Sequence, residues 1–118
     1  MASILVIDDD EPTRDVLKAI LEPAGHVVTE APNGVDGVTR YRMNPTDLVI
    51  LDIFMSEKEG IEVIRELKSE FPSIRILVVS GSGVEYMSMA KDLGAFRAIE
   101  KPFAREEILE TVEALVGT

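Results

Sequence analysis

The feature that most constrains this chain is the regular alternation of short aliphatic runs with segments of helical period. Ser3–Ile7 (SILVI), Arg75–Val79 (RILVV) and Asp47–Leu51, with its Leu48-Val49-Ile50-Leu51 centre, show no polar alternation. A strand of that kind must be covered on both faces. His26–Ala31 predicts a further strand, with Val27 and Thr29 alternating against Val28 and Glu30, and Ala98–Glu100 a short last one. Between them the spacing predicts helices over Glu11–Leu21, Val35–Arg42, Gly60–Glu70, Val84–Leu93 and Ala104–Val116. In the first, Pro12 suits the opening turn, Val16, Leu17, Ile20 and Leu21 form a stripe, and Gly25 lies just past the end. Ile61, Ile64 and Leu67 share a face of the third, and Ile108, Leu109, Val112, Leu115 and Val116 supply the apolar side of the last. Pro32-Asn33-Gly34 and Asn44-Pro45-Thr46 punctuate the pattern as turns. Strand and helix repeated in this way, with short links, mean parallel strands joined by right-handed crossovers, with helices on both faces. The expectation is a three-layer, doubly wound (βα)5 α/β fold. No linker or low-complexity tract divides the 118 residues, so positions 1–118 are expected to form one domain.

Charge narrows the function. Asp and Glu number 22 against 12 Lys and Arg, a formal net charge of -10. Such a surface repels phosphate backbones and anionic headgroups, which argues against unaided binding to nucleic acid or a membrane surface. It suits a cationic patch on a partner, or a divalent metal. With no cysteine there is no disulfide, thiolate catalysis or Cys-based zinc site. A lone histidine, His26, argues against a histidine metal cluster or a Ser-His triad, and reads as a surface residue at a strand start. The opening MASILVIDDD lacks the basic region of a signal peptide. No apolar run approaches the roughly 20 residues of a membrane span. A cytoplasmic location is expected.

Sheets of this class place their chemistry in the loops at the carboxyl ends of the strands. There stand Asp8-Asp9-Asp10 after the first strand, Asp52 after the third, Ser80-Gly81 after the fourth and Lys101-Pro102 after the fifth. Taken singly each has a plainer reading. The acidic triplet favours a helix N-terminus, with Asp10 able to cap it. Asp52 alone is a turn residue, Lys101 alone a solvated lysine. The loop Ser80–Gly83 lacks the Gly-Lys-Ser/Thr of a phosphate loop. Together they put carboxylates, a hydroxyl and an ammonium on one sheet edge. Clustered carboxylates need a countercharge, which a hard divalent ion such as Mg²⁺ supplies. A carboxylate beside such an ion, a lysine and a hydroxyl can receive a phosphoryl group and hold its oxygens.

Five fragments in order resemble the response-regulator receiver domain, the CheY-like module of two-component signalling. They are Ile4–Asp9 (ILVIDD), Asp52-Ile53-Phe54-Met55 with Gly60 downstream, Val78-Val79-Ser80-Gly81, Gly94-Ala95 and Lys101-Pro102-Phe103. The resemblance covers essentially the whole chain. It implies strand order 2-1-3-4-5 and a regulatory domain that catalyses only its own phosphorylation and dephosphorylation. Asp52 would accept the phosphoryl group from a histidine kinase or histidine phosphotransfer protein. Asp9, Asp52 and the carbonyl of Phe54 would ligate Mg²⁺, with Asp8 acting through water. Ser80 would be the switch hydroxyl, Lys101 the partner of the phosphoryl oxygens, and the Lys101–Pro102 bond cis. A downstream protein would dock on the fourth helix, fifth strand and fifth helix.

Three positions depart from that family's pattern. Phe54 puts a ring two residues past the expected phospho-acceptor, where it can alter access of water. Ser56 replaces the usual proline. Ala98, three before the lysine, replaces the usual aromatic switch residue, and Phe96 is the candidate substitute if the fifth strand extends that far. A second reading is a small Mg²⁺-dependent phosphatase resembling the haloacid-dehalogenase group, with Asp8 as nucleophile and Asp8-x-Asp10 as its motif. Against it, Pro12 stands where a hydroxyl is expected and no pair of aspartates follows the lysine. A flavodoxin-like cofactor carrier fits less well, because the acidic loop after the first strand repels phosphate. With nothing after the fifth helix, the expectation is either a stand-alone regulator or a receiver cut from a longer protein.

Overall fold

A computed structural model describes residues 1–55, 58–81 and 84–116. Strands β1 (Ser3–Ile7), β2 (Val27–Ala31), β3 (Leu48–Leu51), β4 (Ile76–Ser80) and β5 (Arg97–Glu100) form one sheet in the order β2-β1-β3-β4-β5. Every pairing is parallel. Helices α1 (Glu11–Leu21), α2 (Gly34–Met43), α3 (Gly60–Glu70), α4 (Val84–Asp92) and α5 (Arg105–Val116) connect and flank it. This is the doubly wound fold expected. The all-apolar runs behave as their composition requires: every residue of β3 and β4 is buried. Alternate residues of the central strands feed two cores. Ile7, Leu51 and Val78 pack with Val38, Val63 and Leu67 on one face. Ile4, Ile50 and Leu77 pack with Leu17, Ile108 and Val112 on the other.

Several expectations are corrected in detail. The buried stripe of α1 is Leu17, Ile20 and Leu21, while Val16 faces solvent. A short 3₁₀ turn, Glu22–Ala24, intervenes before Gly25, whose φ of 97° closes the turn in the left-handed region open to glycine. His26 is not a surface residue. It is buried ahead of β2, and its Nδ1 accepts the N–H of Ala2 at 3.2 Å, so the ring stitches the start of β1 to the start of β2. Val27 is exposed, as an edge strand permits. Asn33 is the N-cap of α2, accepting the N–H of Asp36 at 2.8 Å, so this helix starts inside the expected turn. The Lys101–Pro102 bond is cis, as the resemblance implies. Ser56, and Ser82-Gly83 of the loop after β4, lie outside the described residues. Among the described residues no helix is long and apolar enough to cross a membrane.

Candidate phosphoryl-acceptor site

The carboxyl ends of β1, β3, β4 and β5 meet on one edge of the sheet. Two backbone bonds extend the ladders one residue past the strands and so fix the acids. The N–H of Asp8 donates to Ala31 O at 3.2 Å, and the N–H of Asp52 to Ile7 O at 3.0 Å. Both side chains are held inward: Asp8 is 2% exposed and Asp52 7%. Lys101, just past β5, donates its N–H to Ser80 O at 2.9 Å. Its Nζ lies 3.0 Å from Asp8 Oδ2 and 3.5 Å from Asp52 Oδ2. Ser80 ends β4 in register with Glu100 and is fully buried. Gly60 allows the N-terminus of α3 to close on this edge. Its N–H donates to Ile53 O at 2.7 Å, and a Cβ there would fall 2.2 Å from Asp52 O, so only hydrogen fits.

The electrostatics follow from this packing. Burial pushes the Asp8 carboxyl above its ordinary range, against the opposing hydrogen bonds from the Asp10 N–H and from Lys101. Burial would depress the Lys101 ammonium, but the bond to Asp8 and the charges of Asp8 and Asp52 together hold it above its usual value. Asp8, Asp9 and Asp52 each bring a carboxylate oxygen within 4.8 Å of the others. Three hard oxygen donors so close, on a partly open edge, fit a divalent cation that keeps several waters. Asp9 is the exposed member.

Asp10 is not part of this group. It caps α1, its Oδ2 accepting the Thr13 N–H at 3.1 Å and the Thr13 hydroxyl, and that hydroxyl bond holds its carboxyl below the ordinary range. The plainer reading of the triplet therefore applies to its third member alone. Sequence reasoning missed Arg14. Its Nη1 donates to Asp8 O at 2.7 Å and its Nε to Glu30 Oε1 at 3.2 Å, so it ties the loop after β1 to β2. Tyr86 was missed as well: its ring meets that of Phe54 edge to face, with centroids 4.9 Å apart. Ala98 lies on a groove of about 600 Å³ between α4, β5 and α5, with Met87, Lys91, Glu100 and Glu107 among its walls. Phe96 stands elsewhere, its exposed ring 5.2 Å from the Lys68 ammonium of α3.

Comparison with known proteins agrees with this fold. The family model described as the response regulator receiver domain matches residues 4–113. The chemotaxis protein CheY of Bacillus subtilis is 38% identical over 111 residues, covering 92% of both chains. The response regulator MprA of Mycobacterium sp. (strain KMS) is 37% identical over 114 residues, 96% of this chain and 50% of the relative. This chain thus spans half the length of those regulators. Among solved structures, the receiver domain of NtrX from Brucella abortus superposes with a TM-score of 0.93 at 30% identity, covering 98% of each chain. A response regulator receiver domain protein from Clostridium thermocellum gives 0.92 at 28% identity, over 99% of this chain and 95% of that one.

Proposed function

The chain belongs to the response-regulator receiver family of two-component signalling, and from that premise we propose that Asp52 is its phospho-acceptor and that residues 1–118 act as one cytoplasmic receiver. The observation that carries this reading is the Lys101 ammonium set between two buried carboxylates, 3.0 Å from Asp8 and 3.5 Å from Asp52. A carboxylate oxygen of Asp52 attacks the phosphorus of a phosphohistidine on a kinase or phosphotransfer protein. The new P–O bond forms as the P–N bond breaks, and the imidazole leaves neutral, its other ring nitrogen keeping the proton it already carried. Lys101 then pairs with a phosphoryl oxygen, for which it must share or leave Asp8. Ser80 donates its hydroxyl to another. Asp9, Asp52 and the Phe54 carbonyl would hold Mg²⁺, with Asp8 acting through water; when bound, the ion neutralises charge on the phosphoryl oxygens. Positioning and neutralisation are most of what the transfer needs.

The phosphatase reading asks Asp10 to serve as an acid beside a nucleophilic Asp8. Asp10 instead spends its carboxylate on the cap of α1, and Asp8 is the most enclosed acid of the group. The altered domain would change partner binding on α4, β5 and α5, where Met87, Arg97 and Glu100 lie. The test is treatment with acetyl phosphate and Mg²⁺, trapping with borohydride, and peptide mass analysis. Label on Asp52, abolished by Asp52→Asn, is expected. Label on Asp8 would instead favour the phosphatase, and retained stoichiometric label in Asp52→Asn would sink the assignment.

A further inference from the structure

Two large rings stand half in water on the segments that follow β3 and β4. Phe54, two residues past Asp52, is 44% exposed, and Tyr86 of α4 is 43% exposed. Their centroids lie 4.9 Å apart with planes at 71°, an edge-to-face contact. β3 and β4 are neighbours in the sheet, so the loop after β3 and the helix after β4 rise from the same edge. The ring pair therefore bridges the two segments that flank Asp52. Phe54 alone sits on a loop, where a ring swings readily among rotamers. Contact with a ring fixed on a helix removes much of that freedom.

We propose that Tyr86 is a positioning residue: by holding the Phe54 ring at that edge it restricts water and so sets the lifetime of the phosphoryl group on Asp52. The proposal rests on Asp52 being the phospho-acceptor. Loss of the group is a hydrolysis. A water oxygen bonds to phosphorus, the P–O bond to Asp52 breaks, and inorganic phosphate leaves. The aspartate carboxylate is regenerated, and the water's protons pass to phosphate and solvent. In-line attack brings the water from the side opposite the Asp52 oxygen. Asp52 lies at the strand end beside the exposed Asp9, so the water comes from the solvent side of this sheet edge. A ring held there narrows the approach, whereas one free to swing does not. Tyr86 touches no reacting atom, and its part depends on the ring rather than the hydroxyl.

The experiment labels the full chain with acetyl phosphate and Mg²⁺, removes the donor and follows acyl-phosphate decay. Phe54→Ala and Tyr86→Ala should each shorten the half-life by about two- to twelvefold, the bias that an edge-to-face pair supplies. In Tyr86→Ala the initial labelling rate should change much less. Tyr86→Phe should keep the parental half-life, and the double alanine variant should decay no faster than Phe54→Ala alone. An unchanged half-life in Tyr86→Ala overturns the proposal, as does a Tyr86→Phe variant that decays like the alanine. So does additive acceleration in the double variant, which would mean that the rings act separately. Failure of the parent chain to label on Asp52 is a different result, and removes the underlying assignment instead.

Discussion

At position 8 two influences oppose each other: burial disfavours the carboxylate, and Lys101 with the Asp10 N–H favours it. Asp9 is the exposed member of the cluster, on the side from which a hydrated cation enters, whereas Asp8 is buried. Asp9→Ala should therefore weaken Mg²⁺ binding more than Asp8→Ala, read as amide shifts in an Mg²⁺ titration. The reverse order would contradict the assigned ligand set. Asp47 yields a prediction in pH. Its carboxylate accepts the Ser3 N–H at 2.8 Å and the Ser3 hydroxyl at 3.1 Å, bonds that hold its titration below the ordinary 3.8. A group depressed in the folded state stabilises the protein above its unfolded pKa, and the benefit is lost as pH falls through the lower folded value. Asp47→Asn should accordingly flatten the acid limb of urea stability below about pH 4 and leave the slope near neutrality unchanged. The principal acids and Lys101 were legible in the sequence because the ends of parallel strands share one edge. Arg14 and Tyr86 were not, because which way a helical side chain faces depends on how the helix packs. Periodicity does not carry that angle.

Among the elements, α1 joins the site to the core. Asp10 satisfies an otherwise unpaired N–H at its first turn, and Leu17, Ile20 and Leu21 anchor it to the sheet. Asp10→Ala should lower stability, measured by urea unfolding, because the helix loses its cap. It should leave labelling at Asp52 intact. Lost labelling at unchanged stability would return Asp10 to the chemistry. The central strands were the most legible elements, since Leu48–Leu51 and Ile76–Val79 contain no residue that tolerates water. Edges were harder. β2 pairs on one side only, so Val27 can face solvent while the neighbouring His26 turns inward to the N–H of Ala2. The burial of His26 follows from a backbone donor 24 residues away, a contact that local sequence does not announce. Element ends moved by single residues for a related reason, as with Asn33, whose side chain turns an apparent loop into a cap.

Across the whole molecule, phosphorylation at Asp52 as proposed would need a route by which the added charge reaches the α4–β5–α5 face. Ala98 leaves no ring there to move, and Phe96 is engaged with Lys68 of α3. A backbone route remains. The Lys101 N–H is bonded to Ser80 O, so the ends of β4 and β5 are tied at the two residues expected to turn toward a phosphoryl group. Pulling Lys101 displaces the end of β5, which borders the groove, and pulling Ser80 displaces the end of β4, which leads into α4. Both Ser80 and Lys101 can form charge-assisted hydrogen bonds with the added oxygens, the stronger kind. Beryllofluoride with Mg²⁺, a stable phosphoryl mimic, should therefore shift backbone amides from Ser80 through Lys101. Ser80→Ala should reduce those shifts beyond the pocket while Asp52 stays modifiable, because the lysine arm alone still acts. If the amides of Val84–Leu93 and Arg97–Glu100 stay fixed in the parent protein, no change crosses the sheet edge. A partner would then have to read the phosphoryl group and its loops directly.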